Sequence, residues 1–273
     1  MTSSNSFSSD WLKRQLISIY KNRVGGWAIA AAASLVVVLI VTHYLVRFER
    51  CYTDEGRGSW RLVNIAKIRS RISVGSEVVV KVNGEKFGRI VRTMGLPGDT
   101  IALTAGCALI NGSFADDNIN VKSTFYITKD LSYKFRNRMA RDAGYALPDS
   151  VQTIVLPIAK RLESWQHYTY PPEAANLPSK DIYPFDLEAH NNAYNIHRIA
   201  LPRAGEKITM TEHNLLIYKY IINKYEDVPL PHIGEEFRFE HSYFWFLNDN
   251  RDIFSDSRTY GPIPEYLILG TIL

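Results

Sequence analysis

The chain opens on about two dozen mostly polar residues and then runs uncharged from Gly25 to Val46, GGWAIAAAASLVVVLIVTHYLV. At ~1.5 Å per residue that run matches a ~30 Å hydrocarbon core, so one transmembrane helix is predicted over 25–46. A cleaved leader is the competing reading, but its apolar stretch would be about 7 to 15 residues, and no small-x-small site ends this one. Trp27 and Tyr44 suit the two interfaces. Lys13, Arg14, Lys21 and Arg23 against Asp10 predict that residues 1–24 are cytoplasmic and that 47–273 lie outside, on a cell membrane whose lipid is a partner.

Beyond the apolar run the rhythm becomes that of strands. Glu77 to Val82 and Lys86 to Met94 are β-branched runs on either side of Asn83-Gly84, a dipeptide that takes positive φ readily and predicts a tight hairpin. Thr100 to Phe114 alternates around Ala105-Gly106 and Asn111-Gly112 and predicts further antiparallel strands. Asp130 to Ala143 is a basic helical run with Leu131, Phe135 and Met139 four apart. Pro148 to Pro184, rich in aromatics and prolines, predicts an ordered surface insertion. In Leu201 to Tyr225, Thr209 and Glu212 can form a capping box, with Leu215, Ile222 and Tyr225 on the helix face behind it.

Composition narrows this only a little. At 46% hydrophobic and 12% aromatic the chain can bury one sizeable core and carry an insertion. The net charge of +4 decides little, and no nucleic-acid partner is expected. Cys51 and Cys107 both fall on the predicted outer side, where disulfides persist, but two cysteines define no framework. No cysteine or histidine grouping has metal-ligand spacing, so neither metal nor cofactor is expected.

Two stretches carry the chemistry. Val91 to Asp99 reads V-R-T-M-G-L-P-G-D, and Asn248 to Pro264 reads N-D-N-R-D-I-F-S-D-S-R-T-Y-G-P-I-P. The second puts two Arg and three Asp within ten residues after the aromatic strand Tyr243 to Leu247, a pattern for charges paired inside a folded turn. Together they resemble the bacterial type I signal peptidases, membrane-bound serine endopeptidases that remove signal peptides from exported proteins. That family has K-R-x-x-G-L-P-G-D, then G-D-N-R-x-x-S-x-D-S-R with a following G-x-x-P turn. The long middle, with I-Y-P-F-D at Ile182 and L-P-R-A-G-E-K-I at Leu201, resembles the inserted region of the Bacteroides-group members.

The resemblance implies a mainly antiparallel β-domain with some α, an inserted second region over about 115–240, and one N-terminal transmembrane helix. It implies extended peptides with small residues before the cleavage point as substrates, received as an added strand along a sheet edge. Arg92, Gly95, Pro97, Gly98 and Asp99 match the first motif. Asp249, Asn250, Arg251, Asp252, Asp256, Ser257 and Arg258, with Gly261 and Pro264, match the second.

The chemistry departs from the pattern. The nucleophile of S-M-x-P has its best match in Gly58-Ser59-Trp60-Arg61-Leu62, with Trp for Met and Leu for Pro. The family's base is a lysine held neutral in an apolar pocket, and that position is Val91. Arg92 stays protonated and cannot replace it. The serine that would orient the lysine is Phe254, so one apolar pocket holding Val91 and Phe254 is expected where the dyad would stand. Two functions follow as alternatives: a working peptidase whose base is Lys67, Lys81 or Lys86, or a non-catalytic relative that binds signal peptides or a secretion component.

Overall fold

The computed structural model describes residues 7–40, 45–53, 57–65, 72–82, 84–115, 121–128, 132–144, 147, 153–170 and 177–273. The chain divides into two compact units, Met1–Arg47 and Phe48–Leu273. The first contains helix α1, Phe7–Ile40, with exposed Leu35 to Ile40 near its end. Among the described residues no helix is long and apolar enough to cross a membrane. The expected span over 25–46 is not one helix. Its uncharged part within α1 stops at Ile40, ~25 Å from Val24 at 1.5 Å per residue and short of a ~30 Å core. Val46 already belongs to a strand, and residues 41–44 lie outside the described ones.

Strands β1 (Val46–Tyr52), β2 (Gly58–Asn64), β3 (Glu77–Val80) and β4 (Gly88–Gly95) follow. β5 (Thr100–Thr104), β6 (Cys107–Ile110) and β7 (Ser113–Phe114) make a meander whose turns hold positive φ at Ala105-Gly106 and Asn111-Gly112, as the alternation predicts. Next come β8 (Lys122–Ile127), α2 (Tyr133–Ala143) and β9 (Thr153–Pro157). A short α3 (Ile158–Lys160) runs into a wider turn, Arg161–Trp165, before β10 (Thr169–Tyr170). β11 (Ile196–Ala200), β12 (Lys207–Thr209), α4 (Glu212–Tyr225), β13 (Glu236–Arg238) and β14 (Tyr243–Leu247) lead to α5 (Ser257–Tyr260), β15 (Ile263–Pro264) and β16 (Ile268–Ile272).

The main sheet has the order β1-β2-β16-β3-β4-β14-β15, and β1 also pairs with β4. The strands β1-β2-β16-β3-β4 therefore close on themselves as a small barrel, with β14 and β15 extending beyond it. Apart from the parallel β1–β4 closure its pairings with given register are antiparallel. All five barrel strands supply the inner cluster: Cys51, Val63 and Val79, with Ile90, Leu269 and Ile272 against them. Because successive side chains alternate faces, Val78, Val80 and Val91 point outward, into a layer closed by Phe244 and Phe246. Between β4 and β14 the chain makes three smaller sheets, β11-β5-β6-β7, β10-β8-β9 and β12-β13.

Several local expectations change. β3 and β4 pair Glu77 with Arg92 and Val80 with Arg89, so a wider connection from Lys81 to Phe87 replaces the two-residue turn. Gly84 keeps its positive φ, and Asn83 lies outside the described residues. The connection is held by the Glu85–Arg89 ion pair at 2.8 Å and by Phe87 against the Tyr52 ring. α2 begins at Tyr133, and Asp130 and Leu131 are outside the described residues. α4 is capped by Thr211, whose hydroxyl accepts from the Asn214 amide, because Thr209 is committed to β12. It buries Ile217, Tyr218, Ile221, Ile222 and Tyr225, leaving Leu215 at the margin.

Candidate active site

The G-L-P-G-D corner ends β4 by close packing. A Cβ on Gly95 would meet the Ile101 and Leu201 side chains at 2.6 Å, and Gly98 has φ +88° with the Arg203 guanidinium where a Cβ would go. The Pro97 carbonyl accepts from Arg203 Nε at 3.0 Å. Asp99 closes the corner, accepting from the Leu96 amide and from the Asn111 side chain at 2.9 Å each.

The second motif is a buried polar turn. Arg258 grips Asp256 through Nε and Nη2 at 2.9 and 2.7 Å, both side chains fully buried. It donates as well to the carbonyls of Arg251 and Ile253 at 2.7 Å. Asp256 also accepts from the Asn248 amide, and the Ser257 hydroxyl from the Phe246 amide. Arg251, also buried, donates to the Asn248 carbonyl. The expectation that the motif pairs its charges internally holds for Asp256 but not for its other two carboxylates. Asp252 accepts from the Ser123 and Thr124 hydroxyls of β8 at 3.0 and 2.7 Å. Asp249 takes both Nε and Nη2 of Arg92, and its carboxylate raises the guanidinium pKa further. The Asn250 side chain accepts from the Asp252 amide. This turn thus joins the barrel strand β4 to the β8 sheet.

A cavity of about 400 Å3 opens at the barrel mouth, lined by Thr53, Arg61, Glu77, Val91, Arg92 and Asp249 among others, with Ser59 not among its lining residues. The residues expected to do chemistry do not converge on it as a dyad. Val91 is 3% exposed and packs outward with Val78, Val80, Phe244 and Phe246. Ser59 lies four residues before Val63, an inner-cluster residue, so the pleat turns it to the other face from Val91. Its hydroxyl is buried and has no hydrogen-bond partner. Phe254 corrects a second expectation: it sits edge-on to Tyr194 and under the Arg258 guanidinium, 4.7 Å from its ring centre, and is not part of the Val91 layer.

Lys81 and Lys86 are exposed, and Lys86 lies over the Phe87 ring. Lys67 is outside the described residues. Cys51 is an inner-cluster residue of the barrel, a place that no spacing in the sequence announces. Burial pushes its thiol up to about 11, with Glu49 adding to the effect, so at neutral pH it is an un-ionised packing group. Both cysteines are buried, and no disulfide joins them. Among the described residues no group of three or more His, Cys, Asp or Glu is arranged to hold a metal.

Fold and motifs together define a small β-barrel with an attached β-region, built around a corner and a buried arginine turn. A family model described as signal peptidase, peptidase S26, matches residues 23–273, and the chain belongs to that family. A comparison with curated proteins returned no match.

Proposed function

We propose that this chain is a membrane-associated member of the signal peptidase family that receives extended peptides with small residues, such as signal peptides, and does not cut them. The burial of Val91 in hydrocarbon carries the reading. Hydrolysis by this family needs a neutral amine beside the nucleophile, and the position that would supply it holds a side chain that cannot accept a proton. Ser59, the best match to the nucleophile motif, faces away from that position. The barrel mouth, with Arg92 and Asp249 fixed at its rim, remains a place where an extended segment can lie against strand ends. The apolar second half of α1 serves as the membrane attachment, with the basic N-terminal residues in the cytoplasm and Phe48–Leu273 outside. The middle region makes it a relative of the Bacteroides-group members.

Two experiments test this. The purified full chain, incubated with a preprotein carrying a small-x-small site, is expected to leave it intact while cross-linking to its signal segment. Efficient cleavage that disappears with Ser59→Ala would overturn the non-catalytic reading and require a base from elsewhere. Protease added to intact cells is expected to digest the large unit, and its protection until permeabilisation would reverse the orientation.

A further inference from the structure

Helix α2 has a face that the proposed peptide binding does not use. Met139, Ala140 and Arg136 are its buried side, where Met139 and Ala140 join Phe125, Ile154 and Leu156 in a core of their own. At 100° per residue, Lys134, Arg138 and Arg141 fall within about 60° of one another on the opposite side. Tyr133, 70% exposed, and Phe135, 40% exposed, flank this stripe on its two sides. Like charges at i,i+4 repel one another, and neither Lys134 nor Arg141 has an ion-pair partner among the described residues. The helix's one carboxylate, Asp142, is engaged by the Trp165 indole at 2.8 Å.

We propose that this stripe docks on an anionic phospholipid surface, separately from the attachment made by α1. A headgroup layer satisfies both halves of the pattern: negative charge for three cations and an interfacial zone for tyrosine and phenylalanine rings. A nucleic acid could meet the same charges and stack bases on the rings, but the attachment proposed for α1 already puts the chain at a membrane, and an oligonucleotide is the competing arm of the test. Phe135 stacks on Tyr168 at 5.5 Å between ring centres, and Arg138 lies over Trp165 at 5.8 Å, so these two side chains are held before contact.

The test places a polarity-sensitive dye on the helix. Asn137 is exposed on the same side, and Cys51 and Cys107 are buried, so Asn137→Cys gives one reactive thiol in the full chain. The labelled protein is reconstituted into nanodiscs of neutral lipid alone and of neutral lipid mixed with phosphatidylglycerol. Incorporation into neutral discs reports α1; the dye reports the stripe. A blue shift is expected only on the anionic discs, reversed by ~1 M salt, where screening acts within ~3 Å. With Lys134→Gln, Arg138→Gln and Arg141→Gln combined, the docked-to-free ratio should fall roughly a hundredfold, from about 1 kcal/mol per cation. All three side chains are exposed, and an unchanged melting temperature confirms that the variant folds; the salt reversal in the parent stands without it. Equal shifts on both kinds of disc would overturn the proposal, as would a shift produced by an oligonucleotide but not by anionic lipid.

Discussion

The turn from Asn248 to Pro264 and the outer face of β4 around Val91 are both closed to water, yet they are filled in opposite ways. The turn buries two arginines and an aspartate at 1% exposure or less and surrounds them with carbonyl, amide and carboxylate partners. The Val91 layer buries valine, isoleucine and phenylalanine, with Thr93 on the same strand as a lone orphaned hydroxyl. Both choices avoid an uncompensated charge away from water. The difference shows which part of the family pattern is architecture. The arginine turn joins β4 to β8 through Asp249 and Asp252, so replacing it would undo several sheets at once. A base at Val91 would support nothing but a reaction, and hydrocarbon fills the position without loss to the fold.

The largest break of this contrast is Val91→Lys. An ammonium placed among Val78, Val80, Phe244 and Phe246 should have its pKa lowered by up to ~3 to 5 units. At ~1.4 kcal/mol per unit the loss at pH 7 is about 4 to 5 kcal/mol, because only the ~3.4 units between pH 7 and ~10.4 count there. The native state then holds the lysine neutral while the unfolded chain binds a proton, so stability rises with pH from the depressed value up to ~10.4. Melting curves between pH 7 and 10.5 check both size and sign. A variant that melts with the parent at pH 7 would mean the amine has reached the barrel mouth and water.

Arg258→Ala breaks the other side. Removing one member of a buried, hydrogen-bonded pair leaves Asp256 charged without its partner and should cost ~3 to 5 kcal/mol, with the Arg251 and Ile253 carbonyls also losing donors. Thermal melting checks it, and a loss below ~1 kcal/mol would show these charges to be reached by water.

The sequence made the corner and the turn legible because their chemistry is local. Gly-x-x-Gly-Asp needs a positive φ and a capping carboxylate, and an Asp two residues before Arg can close a bidentate pair. The meander from Thr100 to Phe114 was readable for the same reason, two dipeptides suited to positive φ. What the sequence hid is long-range. Asp249 and Asp252 bind partners more than 120 residues away, and no spacing rule announces them. Closure of the barrel through β1 and β4, which buries Cys51, is likewise a property of strand order. The expected apolar pocket shared by Val91 and Phe254 failed because Phe254 sits on an irregular turn, where the period-2 rule that places Val91 does not apply.

Ser59→Ala is the smallest change and bears on function most directly. A nucleophilic serine needs a base within about 3 Å, and its loss abolishes turnover. Ser59 has no hydrogen-bond partner, and its hydroxyl is shut off from water on the face of β2 away from Val91. A desolvated hydroxyl without a partner costs ~1 to 3 kcal/mol where it is fully buried. Ser59 is only partly buried as a residue, and removing its hydroxyl should leave stability unchanged or raise it by less than ~1 kcal/mol. Peptide cross-linking should also be the same as in the parent. A measurable drop in melting temperature would mean that the hydroxyl finds a partner in solution, and a base brought to it from residues 66–71, which include Lys67, would then be the first to examine.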